Sequence, residues 1–188
     1  IRTLELLSVL DMLCLVILIV IQTLAAMKMS VLNKLLEQRA YTDAHTGLPN
    51  KDACEVLLNN KETVAKHTAC MMFDLNNLKI INDTKGHSKG DQLILNFARL
   101  LRNVIPQKDF VGRYGGDEFM VVIYNTSKTE IEDILKQLSR EKDRLNSSGN
   151  NMPIDYACGW AISDADSECT IQMLLDKADY YMYENKQA

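Results

Sequence analysis

At 188 residues the chain has room for one ordinary domain and an appendage, not for two full domains. Its 47% hydrophobic and 24% charged fractions exclude a disordered chain, and a formal charge of −4 excludes the basic footprint of a protein that grips DNA or RNA polymers. A small anionic nucleotide stays open, because a few local donors and a cation suffice to hold it.

The composition breaks near residue 30. Over residues 12–27 only Gln22 and Thr23 interrupt an apolar run, and Leu6, Leu7, Val9 and Leu10 extend it upstream past Asp11. Counted from residue 6, the run approaches the ~20 residues that cross a bilayer as a helix. Lys28, Lys34 and Arg39 follow it while Arg2 precedes it, so the positive-inside tendency puts the C-terminal side in the cytoplasm. Residues 1–29 are therefore expected to anchor the chain in the inner membrane; a soluble apolar dimerisation helix is the alternative that Asp11 and Gln22 keep open. Val31, Leu32, Leu35, Leu36 and Ala40 continue at helical spacing. This predicts a linking helix over residues 30–41 that pairs with a second copy or packs on its own domain.

From residue 42 to 188 strand and helix patterns alternate as one domain. The segment Thr46-Gly47-Leu48-Pro49-Asn50 is turn chemistry before a helix through Val56 and Leu57. Residues 68–75 read as a buried strand. Asp91 is expected to open and cap a helix with Leu93, Ile94, Phe97, Leu100 and Leu101 on one face. Residues 110–114 and 119–124 read as strands joined by a two-residue turn at Gly115-Gly116, where glycine accepts the positive φ such turns require. Ser127-x-x-Glu130 is a capping box, residues 146–151 a polar loop, 153–162 a strand, and Ile171, Leu174, Leu175, Ala178 and Met182 mark a last helix. The order predicts an α+β fold with a central, mostly antiparallel sheet flanked by helices. The five cysteines (Cys14, Cys54, Cys70, Cys158, Cys169) show no zinc-like spacing, and most read as buried thiols.

The densest polar cluster is Arg113-Tyr114-Gly115-Gly116-Asp117-Glu118-Phe119. Glycines at a hairpin tip admit a substrate close to the backbone, and Asp117 and Glu118 place carboxylates at the sheet's end. Asp74 ends an apolar strand, where an unpartnered buried charge is costly. Antiparallel strands ending at one edge would bring Asp74 beside Asp117 and Glu118. Three crowded carboxylates call for a divalent cation, and such hard oxygen ligands suit Mg²⁺. Downstream, Asn82 offers a donor and an acceptor and Asp91 two acceptor oxygens, a set that matches the N1–H, exocyclic amine and O6 of guanine.

Together these pieces resemble the GGDEF family of diguanylate cyclases over residues 40–186. The named motif is Gly115-Gly116-Asp117-Glu118-Phe119. An opening segment appears as Asp43-Ala44-His45-Thr46-Gly47-Leu48-Pro49-Asn50-Lys51, a nucleotide segment as Asp74-Leu75-Asn76-Asn77-Leu78-Lys79-Ile80-Ile81-Asn82-Asp83 with Gly86-His87 and Gly90-Asp91, and a terminal helix as Ala178-Asp179-Tyr180-Tyr181-Met182-Tyr183. The resemblance implies a palm-like nucleotidyl-cyclase fold that condenses two GTP into cyclic di-GMP and pyrophosphate across a homodimer, with Mg²⁺ or Mn²⁺. It implies metal binding by Asp74, the Leu75 carbonyl, Asp117 and Glu118, with Asp117 and Glu118 the catalytic pair and Asp117 the proton acceptor. It further implies guanine contacts from Asn82 and Asp91 with His87 close by, triphosphate contacts from Lys79 and Lys186, and close substrate approach at Gly115 and Gly116. The family's product-inhibition motif R-x-x-D falls on Pro106-Gln107-Lys108-Asp109, so Asp109 stands without its arginine and feedback inhibition is not expected. His45 replaces a common Leu, Leu78 a common Phe and Lys51 a common Arg. The rival expectation is a degenerate domain that binds GTP or a partner without turnover.

Overall fold

The computed structural model describes residues 2–60, 62–64, 67–148, 152–163 and 168–187, with residues 2–11 described by backbone course alone. Two compact units emerge, Ile1–Ala40 and Tyr41–Ala188. The first is one helix, α1 (Arg2–Tyr41), with no break at residue 30. Its stretch Met12–Tyr41 includes a window of mean hydropathy 2.3, and none of that window is buried. By length and composition it can cross a bilayer.

The second unit is built on a four-stranded sheet of order β2-β3-β1-β4: β1 (Ala69–Leu75), β2 (Phe110–Arg113), β3 (Glu118–Ile123) and β4 (Tyr156–Ile162). All its pairings are antiparallel. Both faces are covered by helices, which is why β1 and β3 read as continuous apolar runs. On one face Met71, Phe73, Leu75, Phe119 and Val121 meet Leu93, Phe97, Leu101, Ile131 and Leu138, carried by α4 (His87–Val104) and α5 (Lys128–Ser147). On the other, Cys70, Met72, Met120 and Val122 meet Cys54, Leu58, Leu174, Leu175 and Ala178, carried by α2 (Lys51–Leu58) and α6 (Ile171–Gln187). Alternate residues of one strand thus feed two cores. Phe97 anchors the first, edge-on to Phe119 at 5.0 Å and to Phe73 at 5.9 Å between ring centroids.

Three local expectations fail, each for a physical reason. Residues 78–85 form an additional short helix, α3 (Leu78–Lys85), entered through Asn77 in a left-handed conformation (φ 63°). Only Ile81 of α3 is fully buried, so its apolar periodicity is too weak to read. Asp91 does not cap α4: the helix opens four residues earlier, at His87, behind Gly86 with φ 85°. The polar loop expected from residue 146 starts later, because α5 runs to Ser147; residues 149–151 lie outside the described residues. The Ser127 capping box forms as read, with Ser127 accepting from the Glu130 N–H and the Glu130 carboxylate accepting from the Ser127 N–H at 2.7 Å.

Three of the cysteines are buried (Cys54, Cys70, Cys169), Cys158 is half-buried and Cys14 is exposed. Burial pushes the Cys54 and Cys70 thiols up to about 12, which leaves them inert as nucleophiles.

Candidate active site

The carboxylates gather where β1 and β3 end together. Asp74 is the register partner of Glu118, and the Leu75 N–H donates to the Asp117 carbonyl at 2.9 Å. The hairpin loop is wider than a two-residue turn: β2 stops at Arg113, and the Tyr114 and Gly115 N–H groups both donate to the Glu118 carbonyl, at 2.9 and 3.1 Å. Neither Gly115 nor Gly116 has a positive φ, so the expected reason for glycine there does not hold. At Gly115 a Cβ would stand 2.5 Å from Glu118 Oε2, so a larger residue would displace that carboxylate from its present position. Gly116 is open on all sides and contributes its carbonyl, which accepts from Arg113 Nη2 at 2.8 Å.

Charge in the cluster is unbalanced. Burial first, then the nearby Asp117, Asp74 and Asp179 carboxylates, push the Glu118 carboxyl above its usual range, and Lys186 opposes them. Lys186, from the end of α6, reaches Asp74 Oδ1 at 2.7 Å. This cation is held 112 residues away in sequence from its partner, by a helix that lies against β4 so closely that a Cβ at Gly159 would collide with the backbone of Ala178 and Met182. The donor set fits a hard divalent ion: Asp74, Glu118 and Asp117 offer carboxylate oxygens and the strand end offers carbonyls, and burial together with the neighbouring carboxylates raises Glu118. Among the described residues no three His, Cys, Asp or Glu side chains converge tightly enough to enclose an ion alone. An ion here would need further oxygen ligands to complete its shell.

The nucleotide-segment residues line the neighbouring helices. Asn82 sits on α3 with its side chain against Gly90, where a Cβ would require the Asn82 side chain to move. Gly90 is buried, whereas Lys79, His87 and Asp91 are exposed. Asp91 lies in the second turn of α4 and His87 is its first residue. Asn76 is tied to Asp155 by its N–H (2.9 Å to the carbonyl) and its side-chain amide (2.9 Å to Oδ2), fixing the end of β1.

Two features escaped the sequence reading. Asp43 and Arg113 form a half-buried ion pair at 3.2 Å across 70 residues, and His45 Nε2 donates to the Asp91 carbonyl at 3.1 Å. Burial alone would raise the Asp43 carboxyl, but bonds from the Thr46 hydroxyl and N–H and the Arg113 guanidinium together hold it below its usual range. Asp109 supports the fold locally, its Oδ1 accepting from the Tyr124 N–H at 3.1 Å. It borders a hollow of about 460 Å³ with Arg102, Pro106, Phe110 and Val111, whereas the carboxylate cluster lies at the shared end of the two inner strands, β1 and β3.

A family model described as "Diguanylate cyclase, GGDEF domain" matches residues 40–188. The chain belongs to the GGDEF family. Among its relatives, "Signaling protein YkoW" of Bacillus subtilis is 31% identical over 161 residues, covering 82% of this chain and 20% of that protein. "Diguanylate cyclase DgcP" of Escherichia coli is 30% identical over 159 residues, covering 82% and 47%. The chain thus spans a fifth to about half of these curated relatives. Among solved structures, the GGDEF domain of DgcB from Caulobacter crescentus in complex with c-di-GMP superposes with a TM-score of 0.67 at 25% identity, over 79% of this chain and 88% of that one. The coiled coil and GGDEF domain of the same protein gives 0.75 at 22% identity, over 88% and 91%, a likeness of fold.

Proposed function

We propose that the chain is a diguanylate cyclase that condenses two GTP molecules into cyclic di-GMP, releasing two pyrophosphates. The observation that carries this reading is the pairing of Asp74 with Glu118 at the shared end of β1 and β3, with Asp117 on the adjoining loop and Lys186 as the opposing cation. In each half-reaction the 3′-oxygen of one GTP bonds to the α-phosphorus of the other, and the bond from that phosphorus to the β-bridging oxygen breaks. Asp117 accepts the hydroxyl proton. Asn82 and Asp91 hold the guanine edge, with His87 beside them, while Lys79 and Lys186 bind the triphosphate and Gly115 and Gly116 admit it close to the backbone. Asp74, Glu118, Asp117 and the Leu75 carbonyl would hold Mg²⁺ or Mn²⁺, which neutralises phosphate charge and acidifies the attacking hydroxyl. Each subunit presents one GTP, so the reaction requires a homodimer, and α1 anchors the pair at a membrane with the catalytic unit in the cytoplasm. With Pro106 in place of the motif arginine and Asp109 engaged by Tyr124, added product should not inhibit through that site.

The test is production of cyclic di-GMP from Mg²⁺–GTP by the full chain, followed chromatographically over a range of protein concentrations beside an Asp117→Ala/Glu118→Ala control. Product from the chain alone, with specific activity rising on association, supports the cyclase. A second reading, a domain that binds nucleotide without turnover, draws on relatives with a different printed activity: "Cyclic di-GMP phosphodiesterase NbdA" of Pseudomonas aeruginosa is 31% identical over 156 residues, covering 80% of this chain and 20% of that protein. GTP binding without product at any concentration would select it.

A further inference from the structure

The turn before α2 is fixed from several directions. Asp43 Oδ1 accepts from the Thr46 N–H at 2.8 Å and from its hydroxyl at 2.6 Å. The Asp43 N–H donates to the Leu48 carbonyl and the Gly47 N–H to the Asp43 carbonyl, each at 2.8 Å. Leu48 is buried, and the Arg113 N–H donates to the Pro49 carbonyl at 2.8 Å. From this rigid platform two contacts leave in different directions. Arg113, paired with Asp43, binds the Gly116 carbonyl on the loop that carries Asp117. His45 Nε2 donates to the Asp91 carbonyl at 3.1 Å, an oxygen that can only accept.

We infer that His45 is a positioning residue for guanine recognition: it latches the Asp43 turn to α4 at the backbone of Asp91 and so sets where the Asp91 carboxylate meets the base. This rests on the proposed GTP site. The contact is made at the backbone of the base-reading residue, whose Cα–Cβ direction α4 already sets, so the bond fixes where the start of α4, and with it the Asp91 carboxylate, sits against the Asp43 turn. The same turn grips the hairpin loop through Arg113, so His45 completes a continuous set of bonds, Asp91–His45, Thr46–Asp43, Arg113–Gly116, from the base-reading helix to the carboxylate loop. A leucine, common at this position in the family, cannot make the bond. In this chain the register between base and triphosphate is held by a polar latch.

The experiment compares the full chain with His45→Leu and His45→Gln, the latter keeping an N–H donor. Binding of non-hydrolysable analogues of GTP and ITP is titrated with Mg²⁺ present, beside kcat and KM for GTP. ITP lacks the exocyclic amine that Asp91 is proposed to accept. Loss of one such bond should weaken GTP-analogue binding and raise KM about fivefold in His45→Leu, with kcat nearly unchanged and the preference for GTP over ITP reduced. His45→Gln should recover most of both. Wild-type binding and base preference in His45→Leu overturn the latch while leaving the GTP site standing. An unmutated chain that binds neither analogue overturns the GTP site, and the latch with it.

Discussion

Replacing Asp43 by Asn tests the ion pair that secures the hairpin loop. The substitution keeps shape and removes charge. In the native chain the Asp43 carboxylate accepts from the Thr46 N–H (2.8 Å), the Thr46 hydroxyl (2.6 Å) and Arg113 Nη1 (3.2 Å to Oδ2). Arg113 and Asp43 side chains are only 17% and 21% exposed, so water replaces little of what is lost. An asparagine oxygen can still accept from Thr46, but its amide faces Arg113 donor to donor. Losing one charge-assisted bond and leaving a half-buried guanidinium poorly paired costs about 2 kcal/mol. For a unit the size of Tyr41–Ala188 that lowers Tm by roughly 6 °C. The pH dependence has a definite sign. A carboxyl held below its ordinary value by its partners contributes stability fully above that ordinary value and loses it as pH falls through the depressed one. The Tm gap between wild type and Asp43→Asn should therefore be full at pH 7 and shrink below about pH 4. Thermal melts followed by circular dichroism across about pH 3–7 measure it. No gap at neutral pH, or one that persists unchanged to the acid end of that range, would refute the account of Asp43.

Three further outcomes follow from the site and its supports. Lys186→Met removes a partly exposed cation 2.7 Å from Asp74; Tm should move by no more than ~3 °C while Mg²⁺–GTP turnover falls about 10²-fold, as measured by melts and chromatography on one preparation. Glu118→Gln removes a carboxyl that burial and neighbouring acids push up. Such a group costs stability above its raised pKa, so the variant's Tm at about pH 7 should rise by ~1–2 °C, the gain should vanish near pH 4, and stabilisation by Mg²⁺ should be weaker than in wild type. Gly159→Ala drives a Cβ into the α6 backbone, which includes the Tyr181 carbonyl carbon 2.8 Å away; about 2 kcal/mol of overpacking should lower Tm by roughly 6 °C, and an unchanged melt would mean that α6 lies farther from β4.

What could be read from the sequence was chemistry confined to a few adjacent residues. The Ser127 capping box needs only four positions, and the apolar runs of β1 and β3 announce burial on both faces before any partner is known. The hairpin was legible in existence but not in shape. Its two glycines have the composition of a tight turn, yet the loop is wider, and Arg113 holds its Gly116 carbonyl at 2.8 Å while pairing with Asp43, 70 residues upstream. Asp91 was misplaced for a related reason. Aspartate is a good cap by local preference, but Gly86, at φ 85°, turns the chain first and starts α4 at His87. That shift moves Asp91 from the helix boundary into its second turn, where its backbone carbonyl can take a bond from His45.

The contacts that join these segments span 46, 70 and 112 residues. Each is made by a polar side chain whose identity alone names no partner: His45, Arg113 and Lys186 read as a loop imidazole, a strand-end cation and a helix-end cation. Their directions come from packing. Gly90 is bare so that Asn82 can lie against it, and Gly159 is bare so that α6 can pass close enough to β4 for Lys186 to reach Asp74. The motif residues therefore carry the atoms proposed to meet substrate, while two glycines and a turn set where those atoms are held. Gly90→Ala sets a Cβ against Asn82 Oδ1 and, 3.1 Å away, Leu78 Cδ1, so those side chains must shift; with Asn82 in its proposed guanine contact, titration with a GTP analogue should show weaker binding while every carboxylate is kept.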